Sequence, residues 1–154
     1  MKINNDAGLT IMVGPKKKRI MTRAFDTLTA GAVNQYTYYI EQLNTNVKNY
    51  VYYLIRNNLS VVEDDVKAKK VTTPVVIFIT EFDYMQTVPE MNKIKSLLYD
   101  FIERMPVPVH IYIAGDTYEL CRNEEVLVSH TGKLLRFADY EEYRDFMMSL
   151  DAEK

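Results

Sequence analysis

The sequence predicts an α/β fold: one layered domain with a central, mainly parallel sheet flanked by helices. Two apolar runs and the segment between them carry this reading. Val75 to Thr80 is almost continuously apolar, as is Val109 to Ala114, and runs of that length without alternation suit strands covered on both faces. Between them, Val88 to Arg104 has the period of an amphipathic helix. Parallel strands need a crossover of this kind, so strand, helix and strand together form a β-α-β unit.

The central helix has well-marked ends. Thr87 and Glu90 are spaced as a capping box, and Pro89 lies in the first turn, where its missing amide costs nothing. Met91, Ile94, Leu97, Leu98, Phe101 and Ile102 form the buried stripe. Pro106 and Pro108 stop the helix and admit the chain to the next strand.

The flanking segments are read in the same way. Leu9 to Val13 is a short strand, Gly14-Pro15 a turn, and Ile20-Met21 the start of a return strand, which makes residues 1–29 an N-terminal hairpin region. From Ala30, apolar residues at Val33, Tyr36, Ile40 and Leu43 predict a helix to about Asn44. Tyr50 to Ile55 is rich in β-formers yet continues the helical period, so helix and strand both stand open there. Residues 57–73, with Glu63, Asp64, Asp65, Lys67, Lys69 and Lys70, read as a charged connector. Residues 74–150 make up the β-α-β core and a C-terminal helix capped by Asp139, with Val126–Val128 and Leu134–Phe137 as a hairpin or short strand pair between.

Composition excludes several function classes. The chain has 154 residues, a net charge of −2 and one cysteine, Cys121. That balance predicts no general affinity for nucleic acid or anionic membranes. A lone cysteine forbids an intrachain disulfide and suits a reducing compartment, so a cytoplasmic location is expected. No apolar run reaches the length of a membrane span, and no signal-peptide core is present. The one skew is 12 tyrosines and 8 methionines without tryptophan. An excess of tyrosine fits a half-wet face or an interface. Tyr36, Tyr39, Tyr50, Tyr52 and Tyr53 are the candidate interface, and a homo-oligomer or a complex with another protein is expected.

Motifs for chemistry are sparse. In a parallel sheet, function sits beyond the carboxyl ends of the strands. Glu81, Asp83, Asp116 and Thr117 stand there and are the candidate binding residues. Carboxylates so placed hold metal or act as acid and base, and a hydrophobic strand ending in acids is similar to the Walker B strand of ATPases. A phosphate loop would complete that reading, and Gly14-Pro15-Lys16 after a strand invites it. The required G-x-x-x-x-G-K-S/T pattern lacks its second glycine and its Lys-Ser/Thr pair, so a solvated hairpin tip is the simpler account. Pro15 to Arg19 also matches a short basic import signal. Glu63-Asp64-Asp65 lacks the alternating ligands and glycine of a calcium loop. His110, alternating with apolar neighbours, reads as a packed strand residue. Cys121 and His130 lack an evident orienting carboxylate, and no serine has the setting of a nucleophile elbow. No catalytic residue, metal site or cofactor is therefore assigned.

Two family resemblances can be drawn. Arg23-Ala24-Phe25 with Leu28, the segment Tyr36 to Leu43, Pro74 to Thr80, Met91 to Met105 and Pro108 to Gly115 together resemble the Clp protease proteolytic subunit, with an insertion at Asn57–Thr73. Where that family has a glycine pair this chain has Glu81, Phe82, Asp83 and Tyr84, and Glu119 falls near the place of its nucleophile. The resemblance implies a pseudoenzyme that keeps self-assembly without catalysis. Val76 to Leu150 is similar to the sulfate-transporter and anti-sigma-antagonist domain, whose phosphorylated serine would fall near Tyr84–Thr87. The functional expectation is a non-catalytic interaction protein that binds itself or another protein. The alternative is a small enzyme or a nucleotide- or metal-binding protein that uses the strand-end carboxylates.

Overall fold

A computed structural model describes residues 7–13, 36–41, 50–82, 87–115, 123–128, 132–136, 141–142 and 145–146. The elements are β1 (Gly8–Val13), β2 (Tyr36–Glu41), α1 (Tyr50–Ala68), β3 (Val75–Phe82), α2 (Val88–Arg104), β4 (Val109–Gly115), a 3₁₀ helix (Asn123–Leu127) and β5 (Lys133–Arg136). The five strands form one sheet in the order β2-β3-β4-β1-β5, and every described pairing is parallel. The expected α/β architecture is therefore observed.

The β3-α2-β4 unit forms as its sequence predicts. Val75 aligns with Val109 and Ile79 with Ile113, so the two apolar runs are adjacent parallel strands. Thr87 caps α2, its hydroxyl oxygen accepting from the Glu90 amide at 3.3 Å. Met91, Ile94, Leu98 and Phe101 are fully buried, while Leu97 and Ile102 pack half-buried at the edge of the stripe. The Tyr99 hydroxyl donates to the Leu127 carbonyl, which ties α2 to the 3₁₀ helix.

Four expectations are corrected. Residues 36–41 are strand rather than helix: Tyr36, Thr37, Tyr38, Tyr39 and Ile40 are β-formers, and pairing with Val75–Thr80 outweighs a short coincidence with the helical period. Residues 57–73 are not a connector, because α1 runs from Tyr50 to Ala68 and buries Val51, Ile55, Leu59, Val62 and Val66. That apolar stripe crosses the charged stretch, whose acids and lysines occupy the other face and pair as Lys67–Glu63 and Lys69–Asp65. The same stripe decides the open choice at Tyr50–Ile55 in favour of helix. The amide of Val71 bonds to Val66, that of Lys70 to Lys67, and Lys70 is left-handed at φ 52°, so α1 ends in a Schellman turn.

The N-terminal hairpin gives way to a central strand. β1 lies between β4 and β5, which take both its edges, and the return strand expected at Ile20-Met21 lies outside the described residues. Likewise Val126–Val128 and Leu134–Phe137 are not a hairpin: the first falls in and just after the 3₁₀ helix, and Leu134 to Arg136 of the second belong to β5, parallel to β1, with Phe137 outside the described residues. Asp139 lies outside the described residues, though 141–142 and 145–146 are helical. Among the described residues, no helix is long and apolar enough to cross a membrane.

Candidate functional site at the carboxyl edge of the sheet

The carboxyl ends of the parallel strands are the place for a candidate site. From β1 the chain passes to the far edge at β2, steps back through β3 and β4, and then continues beyond β1 to β5. The chain thus turns back at the edge strand β2, and ligands of open α/β sheets bind outside the carboxyl ends of the strands. Register brings those ends level. Val13 of β1 aligns with Gly115 of β4 on one side and Arg136 of β5 on the other, and Phe82 of β3 aligns with Gly115.

β3 reaches this edge through an irregularity. Ile79 pairs with Ile113 and Phe82 with Gly115, so three residue steps on β3 match two on β4, and the extra residue makes a β-bulge. Bulges of this kind re-aim side chains and are frequent beside active sites. Glu81 lies within the bulge, inside the strand rather than in the loop where the sequence places it. Glu41, a further carboxylate at this end, sits on β2 opposite Thr80 and was not singled out by sequence reasoning. Asp83, Asp116 and Thr117 lie outside the described residues; they directly follow β3 and β4 in the chain. Gly14 to Arg19, with its run of four cations, follows β1 in the same way.

One polar cluster is well defined, away from this edge. His110 and Thr10 are buried on neighbouring strands and share a hydrogen bond of 2.8 Å between His110 Nε2 and Thr10 Oγ1. The His110 ring lies 4.6 Å from that of Tyr112, which stacks on Phe78 at 5.1 Å. His110 is thus a packed core residue, as its alternation with apolar neighbours predicts. Cys121 and His130 lie outside the described residues. Among the described residues, no group of three or more His, Cys, Asp or Glu is placed to hold a metal ion.

The candidate tyrosines divide between two elements. Tyr36 and Tyr39 occupy β2 opposite Val75 and Phe78, and Tyr50 begins α1. Tyr52 is half-buried and Tyr53 is 49% exposed, their rings meeting edge to face at 5.4 Å. The Arg56 guanidinium lies 5.0 Å from the Tyr53 ring centre and 6.0 Å from that of Tyr52. This makes an aromatic patch with a cation at its centre, which the spacing Tyr53–Arg56 on a helix could have signalled.

The described strands define an α/β domain with a parallel sheet whose β1, β3 and β4 end level at one edge. No protein-family model matches the chain, and no curated protein matches it.

Proposed function

We propose that this chain is a nucleotide-binding α/β module that holds a phosphorylated ligand at the carboxyl edge of β1, β3 and β4 without turning it over. The observation that supports this most is the level alignment of the ends of β1, β3 and β4, with Glu81 at a register irregularity on that edge. The charges in sequence beyond these ends have the right chemistry. Gly14 and the cations Lys16, Lys17, Lys18 and Arg19 follow one strand and suit phosphate. Glu81 is near the end of another strand, Asp83 and Asp116 follow β3 and β4 in sequence, and carboxylates are the oxygen ligands that magnesium takes. The pattern still lacks the Lys-Ser/Thr pair of a phosphate loop, as well as a nucleophile with its base, so binding without hydrolysis is the expected behaviour.

Titration with ATP tests the reading, with and without magnesium. Binding in the micromolar to millimolar range is expected, with its magnesium-dependent part lost in Glu81→Gln and no phosphate released. Absence of binding at millimolar ATP would sink it, and turnover would overturn its non-catalytic half.

A second reading rests on the Tyr52–Tyr53–Arg56 patch. Interfaces favour tyrosine and arginine, and Tyr53 is large and exposed. Here the chain associates with itself or another protein in the cytoplasm, as its resemblance to a self-assembling family implies. Light scattering on the wild type and on Tyr53→Ala/Arg56→Ala decides it. A wild type that stays monomeric at high micromolar concentration counts against self-association.

A further inference from the structure

We infer that α1 pairs with α1 of a second copy of this chain, antiparallel about a two-fold axis at Ser60, so that Arg56 of each copy meets Asp64 of the other. The inference rests on the self-association reading and goes beyond it in naming the partner, the helix and the charge pair. Its basis is the unequal pairing of charges on α1. Glu63 pairs with Lys67 and with Arg104 of α2, and Asp65 pairs with Lys69. Arg56 and Asp64 are both exposed and have no ion pair among the described residues. Ser60 stands midway between them, and they lie about 12 Å apart along the axis at ~1.5 Å per residue, too far to pair within one helix. Tyr53 and Val61 share this outer face, opposite the stripe that enters the core, and are 49% and 67% exposed.

A two-fold interface is self-complementary: where one residue meets a second, the second meets the first. An axis at Ser60 exchanges positions 56 and 64, so the two unmatched charges of one helix become two ion pairs between helices. A foreign peptide has no reason to match both at this spacing, whereas a second copy matches both by symmetry. The Tyr53 ring, 5.0 Å from the Arg56 guanidinium, holds that cation on the outer face. Val61 lies beside the axis, where its counterpart covers apolar surface that is otherwise wet.

Sedimentation equilibrium of the full chain, up to high micromolar concentration, tests this by charge reversal. The wild type is expected to dimerise. Arg56→Asp and Asp64→Arg should each weaken the dimer by at least about tenfold, because each turns both ion pairs into like-charge contacts. The double variant Arg56→Asp/Asp64→Arg, which restores opposite charges in the reversed sense, should recover most of the lost affinity. Circular dichroism and the thermal midpoint of each variant identify a loss caused by misfolding. If either single variant does not fold, Val61→Glu decides, and wild-type dimerisation in it overturns the inference. Folded single variants that dimerise like the wild type, or a double variant no tighter than the singles, overturn the inference and leave self-association through another surface standing. A wild type that stays monomeric overturns both.

Discussion

The two faces of the sheet are equally buried but differently made. Toward α1 and α2, the central strands present Leu9, Ile11, Val13, Val75, Ile77, Ile79, Val109, Ile111 and Ile113, all aliphatic and all in one cluster with the helix stripes. The opposite face carries Thr10, Met12, Val76, Phe78, His110, Tyr112 and Ala114, each also buried. The first face depends on area and volume, and its attraction has no direction. The second depends on geometry, because Thr10 and His110 each need a partner and the Phe78–Tyr112 pair has a preferred stacking. An aliphatic layer secures a compact sheet. The layer with directed contacts admits fewer alternative registers, since a one-residue slip would send His110 and Thr10 into the aliphatic core.

Truncation on each face should show the largest effects. Phe78→Ala is expected to cost about 3–5 kcal/mol and Leu98→Ala about 2–5 kcal/mol in denaturant unfolding, because both side chains are fully buried. A cost below about 0.5 kcal/mol for either would place that side chain at the surface and break the layer assignment.

A smaller contrast sharpens the comparison within one strand. Thr10→Val keeps the shape but deprives His110 Nε2 of its 2.8 Å bond, for an expected loss of about 1–3 kcal/mol. Ile11→Val, the next residue on the aliphatic face, should cost about 0.5–1.5 kcal/mol. If Thr10→Val is neutral, the hydrogen bond does not distinguish the faces.

The smallest effect concerns the bridge between the helices on the aliphatic side. Glu63 accepts from Lys67 within α1 and from Arg104 of α2, and these bonds, that from Lys67 foremost, hold its carboxyl below the usual carboxylate range against the opposing effect of burial. Its folded pKa is thus depressed, so the stabilisation is complete above the unfolded pKa and disappears as pH falls through the folded one. Glu63→Gln should cost roughly 0.2–1 kcal/mol at neutral pH, with the gap to wild type closing below about pH 4. Urea unfolding at several pH values checks it, and a gap that persists at pH 2 would refute the ionic origin.

Local sequence determined much of this protein. The runs Val75–Thr80 and Val109–Ala114, the cap at Thr87 and the stop at Pro106 each contain their own signal, and α2 occupies Val88–Arg104 as read. Glu81 was legible as a strand-end residue for the same reason, although its place in a bulge was not. Only the tertiary structure decided the rest. Tyr36–Glu41 has a period compatible with helix, and becomes a strand because β3 offers it an edge. Residues 57–68 look like a solvated linker until the stripe Leu59, Val62 and Val66 joins one core with the sheet and α2. The edge that joins Val13 to Gly115 and Arg136 depends on parallel pairings between segments far apart in the chain. Parallel neighbours are set by crossovers and shared burial rather than by any local residue pattern, so strand order had no signature in the sequence.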